Sequence, residues 1–193
     1  MGDEGWKAFS ERVAWDAAFH ATCETTSRPD AAALGLINDR NASVLVAVSA
    51  LMERRTDSAE DDSPLSHEVA RLDAKLNVLM EIVNRLLLPQ SGLPPRIPLR
   101  FNAAGAVLSW AGLPPVGQSV MLKIHFDSCR ALPLELPGMR MAGPSDGKGF
   151  VAFEGLSEAV RDGIERLVFR QHRRQVAEAR AQARPADGGQ EAM

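Results

Sequence analysis

Between Ser63 and Pro89 the chain places Leu65, Val69, Leu72, Leu76, Leu79, Val83 and Leu86 at alternating steps of four and three. With Val69, Leu76 and Val83 as a positions, Leu65, Leu72, Leu79 and Leu86 all fall at d. A 3.5-residue repeat held this strictly is the seam of a coiled coil; a helix on a globular surface needs only a broader 3.6-residue stripe. Ser63 is placed to cap the helix and Pro64 to occupy its first turn, and Pro89 ends it. Met80 and Leu87 fall at e and Ile82 at g, where a simple dimer carries charges. Apolar residues there widen the buried face and favour more than two helices meeting. The expectation is self-association, as a homotetramer. The alternative is that this helix packs on another helix of its own chain.

A second run lies upstream. Ser27-Arg28-Pro29-Asp30 gives a helix start, with serine as the cap. Leu34, Ile37, Asn41, Val44, Val48 and Leu51 then follow a heptad pattern. Asn41 stands on that seam, where an amide can fix register or simply face solvent. The stretch "ERRTDSAEDDS" separates the two runs as a polar, acidic linker. The runs stay in phase across it, so one bent helix is an alternative to two. Trp6, Phe9, Val13 and Ala17 recur at helical spacing nearer the start. The first 89 residues therefore read as a helical oligomerisation region, with helices at about 5–24, 29–55 and 64–88.

After Pro89 the pattern changes. "RIPLRF" and "AVLSW" flank "NAAG", a hairpin signal with Asn102 and Gly105. Val120, Leu122, Ile124 and Phe126 alternate as one face of a strand. "RALPLELPGMRM" and "GKGFVAFEGL" supply further strands. Short antiparallel strands with Gly/Pro turns suit a small closed barrel, because closure removes exposed edges. The barrel is expected over 90–155. A helix follows over 156–184, starting at Ser157, with Val160, Ile164, Leu167 and Val168 facing the barrel. A disordered tail is expected over 185–193.

Composition narrows the function. The formal net charge is -3, which gives no reason to expect a nucleic-acid partner. No run is apolar enough to span a membrane, and the start lacks a signal-peptide pattern. The Met1-Gly2 context is poor for myristoylation. Cys23 and Cys129 have no companions at metal spacing and read as reduced thiols of a cytoplasmic protein. His20, His67, His125 and His172 share no ligand spacing, and "AEDDS" lacks the spaced oxygens of a calcium loop. Arg170, His172, Arg173 and Arg174 read as a solvated helix end, and Trp110 as part of the barrel rather than a base-stacking platform. No acid, base and nucleophile cluster is present, so neither an enzyme, a cofactor nor a metal is expected.

The second half resembles the PilZ domain, a small six-stranded β-barrel with a trailing helix that serves bacterial cyclic di-GMP signalling. The likeness covers about residues 92–175. It rests on "PPRIPLRF", "VLSWAGL", "PPVGQSVMLKIHF" and "GKGFVAFEGLSEAVRDGIERLVFRQ". The resemblance implies an α+β chain: a PilZ-like barrel and trailing helix behind long heptad-repeat, coiled-coil helices.

Members that bind the dinucleotide carry Arg-x-x-x-Arg before the first barrel strand and Asp/Asn-x-Ser-x-x-Gly after the second. The arginines grip phosphate oxygens and the guanine edge, and the acidic group accepts from guanine. Here Arg96 fits the second arginine, but the first falls on Gly92. Ser109 and Gly112 fit the second motif, but its acidic position is Val107. Arg96 and Arg100 repeat the arginine spacing, though Arg100 then lies inside a strand. Each charge-assisted contact contributes about 1.5–3 kcal/mol, and a micromolar site about 8 kcal/mol in all. Loss of an arginine and the acidic group thus removes most of the affinity. The resemblance implies an adaptor with a degenerate site at Arg96, Ser109 and Gly112. It would act through unknown protein partners in motility, type IV pilus or virulence regulation. The alternative is a cyclic di-GMP receptor with non-standard contacts.

Overall fold

The structure, a computed structural model, describes residues 2–53, 64–87, 92–109, 112–143 and 148–182. The elements run α1 (Gly2–Ser10), β1 (Trp15–Thr25), α2 (Ala31–Glu53), α3 (Pro64–Leu87), β2 (Arg96–Asn102), β3 (Gly105–Leu108), β4 (Ser119–Phe126), β5 (Cys129–Met141), β6 (Gly149–Phe153) and α4 (Glu158–Gln182). The six strands close an antiparallel barrel in the order β1-β2-β3-β6-β5-β4. This is the expected six-stranded barrel with a trailing helix.

One strand comes from an unexpected place. The helix expected over 5–24 ends at Ser10, and residues 15–25 form β1 instead. Trp15, Phe19, Ala21 and Cys23 are buried at even spacing, with Ala17 packed against the same core. That is the period of a strand, two residues per repeat. β1 pairs with β2 on one side and β4 on the other, so without it the barrel would have two open edges. The barrel therefore extends beyond residues 90–155. Val13, one of the residues that suggested the helix, is 45% exposed in the connecting turn.

Aromatic rings fill the interior on this side. The ring of Trp15 lies 4.9 Å from Phe19, 5.9 Å from Phe101 and 5.8 Å from Phe126, centre to centre. Trp6 and Phe9 of α1 gather instead around Phe150 of β6. The β2–β3 hairpin turns at "NAAG", with Asn102 opposite Gly105. Asn102 accepts a hydrogen bond from the Ala104 amide at 2.8 Å and donates to the Phe9 carbonyl at 3.0 Å. A Cβ at Gly105 would lie 2.5 Å from the Val151 carbonyl oxygen, so only glycine fits there.

α2 packs on β5 and α4. Its cap is Asp30, which accepts from the Ala33 amide at 2.8 Å, and not Ser27. Its heptad residues Val44 and Val48 are buried in the core shared with the barrel and α4, and Ile37 is buried as well. Asn41 is fully buried, so it neither faces solvent nor marks a seam between chains. It donates to the Glu135 carbonyl at 2.6 Å and accepts from the Glu135 amide at 2.9 Å. One turn earlier, Asn38 donates to the Gly155 carbonyl and accepts from the Ser157 amide, both at 2.9 Å. Gly155 holds a φ of 70°, which lets the chain turn from β6 into α4 against this amide. Ser157 then caps α4 through the Val160 amide, at 3.3 Å.

α2 and α3 lie on either side of residues 54–63. Those residues, which hold most of the acidic linker, lie outside the described part of the chain. So do 183–193, where a disordered tail was expected.

Candidate functional site

The half-motifs lie on the β2–β3 hairpin, at the end away from its turn. Arg96 opens β2 opposite His20 of β1. The Ser109 amide, just past β3, donates to the Pro98 carbonyl at 3.3 Å, so Ser109 lies beside the same stretch of β2. The hairpin thus brings Arg96 and Ser109 onto adjacent strands. Gly112 and Gly92 are exposed in the flanking loops. Val107 sits between Arg100 and Phe150 in the register and offers no polar group. Trp110 lies outside the described residues.

The Arg96 guanidinium is already engaged. Nη1 donates to the Ala18 carbonyl at 2.9 Å, and Nη2 donates to Asp127 Oδ1 at 2.5 Å. These partners lie on the side of β2 away from β3, and therefore away from Ser109. The Arg96 hydrogen bond holds the Asp127 carboxyl below the usual carboxylate range; partial burial opposes this, and the charges of Arg96, Arg130 and His20 reinforce it. The second arginine of the coincidental spacing goes elsewhere. The Arg100 guanidinium carbon lies 5.8 Å from the centre of the Phe9 ring, a cation–π contact with α1. The two arginines do not form a clamp.

The other candidate groups are held by the main chain or by burial. His20 Nδ1 lies 2.6 Å from the Pro94 carbonyl oxygen, and His125 Nδ1 lies 2.7 Å from that of Arg130. No group of three metal-ligating side chains occurs among the described residues. Burial pushes the Cys23 thiol up to about 11 and raises that of Cys129 as well, so both are poor nucleophiles at neutral pH.

Sequence reasoning missed a buried arginine. Arg140 follows Leu134, Leu136 and Gly138 in the inward phase of β5 and is 8% exposed. Its Nη1 donates to the Phe150 carbonyl at 3.4 Å, while its Nε has no partner. Only the even spacing along β5 signals that this charge points inward.

The second candidate surface is the α3 seam. Val69, Leu72, Leu76, Leu79, Val83 and Leu86 are exposed to between 43% and 77%, and Ile82 at the g position to 47%. The Leu65, Met80 and Leu87 side chains fall outside the described residues. The two heptad runs therefore have different fates. The α2 stripe is covered by its own barrel and by α4, and the α3 stripe is left uncovered by the described residues. No helix among the described residues is long and apolar enough to cross a membrane.

No curated protein matches the chain. Among solved structures, it is similar to the crystal structure of a pathogenic protein from Xanthomonas campestris, with 22% identity and a TM-score of 0.69. The match covers 91% of this chain and 97% of the other, which is described as a new tetrameric PilZ domain self-assembled through an unusual helical bundle. A family model described as "Atypical PilZ domain, cyclic di-GMP receptor" matches residues 45–181. That span begins inside α2 and runs through the barrel into α4, leaving β1 outside it. With more than half of its length matched in this way, and with the barrel and trailing helix in place, the chain belongs to the atypical PilZ domain family.

Proposed function

We propose that this chain is a non-enzymatic signalling adaptor that assembles through α3 into a homotetramer. The exposed leucine seam of α3 carries this reading. Soluble domains rarely leave a contiguous apolar face of this kind open to water. Covering a leucine or valine side chain contributes roughly 1.5–3 kcal/mol, so pairing several of them across helices readily offsets the entropy of association. Apolar residues at e and g widen the face toward four helices. The self-assembled tetramer of the Xanthomonas campestris neighbour supports the same arrangement.

In this reading the cyclic di-GMP site is degenerate. Arg96 is held by Asp127 and Ala18, Val107 replaces the acidic group, and Gly92 replaces the first arginine. The barrel then acts as a surface for protein partners in the cytoplasm, in bacterial motility, type IV pilus or virulence regulation. A calorimetric titration with cyclic di-GMP tests the loss of binding. The adaptor reading expects no saturable heat below about 10 μM, a limit set by the contacts that are missing. The second reading, a receptor with non-standard contacts through Arg96, Arg100 and Ser109, has support in the description of the family as a cyclic di-GMP receptor. It expects tight binding that Arg96→Ala abolishes.

A further inference from the structure

A cavity of about 450 Å³ opens between the α1–β1 turn, the β2–β3 hairpin turn and α4. Its volume falls in the range of small-molecule sites, roughly 300–1,000 Å³. It lies at the Asn102 end of the hairpin, whereas Arg96 and Ser109 lie at the other end. It is therefore separate from the half-motifs discussed above.

The lining has one chemical asymmetry. Val13, Val168 and Phe169 supply apolar walls, and Val13 and Phe169 remain 45% and 56% exposed. Three of the polar side chains are already committed. Arg12 Nη1 donates to Glu165 Oε1 at 2.9 Å, which joins the two walls and cancels both charges. The Asn102 amide is held by Phe9 and Ala104. That leaves Arg166, which makes no hydrogen bond or ion pair among the described residues. Two guanidiniums and one carboxylate leave a single unit of positive charge beside an apolar surface.

We propose that this cavity binds an organic acid with an apolar body, its anionic group on Arg166 and its body against Val13, Val168 and Phe169. A neutral polar ligand would gain only an uncharged hydrogen bond from Arg166, about half as strong as an anion's, and a cation would meet the surplus positive charge. The proposal is independent of the seam and of cyclic di-GMP.

The test uses the full chain and two probes that share a naphthalene ring and differ in the sign of their charge, 1-naphthoate and 1-naphthylmethylammonium. Each is titrated by calorimetry and by amide NMR into the wild type, Arg166→Ala, Arg166→Lys and Phe169→Ser. Arg166 and Phe169 are both exposed, so these variants keep the fold, which circular dichroism checks. The expected result is one naphthoate per chain, with shifts centred on Val13 and Phe169. Arg166→Ala weakens it at least tenfold, Arg166→Lys retains it, and the ammonium probe binds at least tenfold more weakly. Equal binding of the two probes, or naphthoate binding unchanged in Arg166→Ala, overturns the proposal. So does a change of assembly mass in Phe169→Ser with naphthoate binding unaltered, since the cavity would then be an interface between copies.

Discussion

Asn41 pairs with Glu135 as a neighbouring strand would, giving one hydrogen bond to its carbonyl and taking one from its amide. β6 covers β5 only at residues 138–141, so the main chain around Glu135 has no strand on that side. The carboxamide of α2 supplies the missing donor and acceptor there. Each buried backbone group left unsatisfied costs about 1–3 kcal/mol. Asn41→Ala is therefore expected to lose about 2–4 kcal/mol in urea denaturation. Asn41→Asp should fare no better, because it keeps the acceptor but sets a charge against the Glu135 carbonyl. A loss below about 1 kcal/mol in Asn41→Ala would show that the pairing does not hold α2 on the barrel.

Arg96 lowers the Asp127 pKa, so the pair contributes to stability above the unfolded value of the carboxyl. That contribution falls away as pH drops through the folded value. Both groups are exposed, which limits it to less than about 1 kcal/mol. Arg96→Ala should leave the fold intact and move the Asp127 carboxyl back up, as read by NMR titration of its side chain. An unchanged Asp127 titration would contradict the assignment of Arg96 as its main partner.

Cys23 provides the opposite sign. Its thiol is raised to about 11 from an ordinary 9.0. The folded state keeps the proton while the unfolded state loses it, so stability is full below about pH 9 and declines toward pH 11. Cys23→Ser should flatten this alkaline decline. At pH 8 both cysteines should resist a thiol-reactive disulfide reagent in the native protein and react at once in denaturant. Rapid native-state reaction of Cys23 would refute its burial in the barrel.

Much of the barrel was legible in the sequence because β2 to β6 carry turn residues and clean alternation. β1 was not. Trp6, Phe9, Val13 and Ala17 mimic a helical face across an element boundary, and the alternation from Trp15 to Cys23 is diluted by alanines. Its strand state depends on pairing with β2 and β4, which arrive at least seventy residues later for β2, a tertiary effect that overrides local spacing. The heptads were equally visible in α2 and α3, but spacing does not show what covers a stripe. Only the packed structure reveals that the α2 stripe, with Asn41 inside it, belongs to the barrel. The half-motif was legible residue by residue; that Asp127 would occupy Arg96 was not, since thirty-one positions separate them. The cavity beside Phe169 gave no sequence signal, because its walls come from three distant segments.

The central claim is that the α3 seam joins chains. Sedimentation equilibrium on the wild type and on a Leu72→Asp/Leu79→Asp double variant tests it most directly. The wild type is expected at about four chain masses and the variant at a folded, single-chain mass, with its barrel circular-dichroism signal retained. A wild type that sediments as a monomer, or a variant that keeps the wild-type mass, would contradict it.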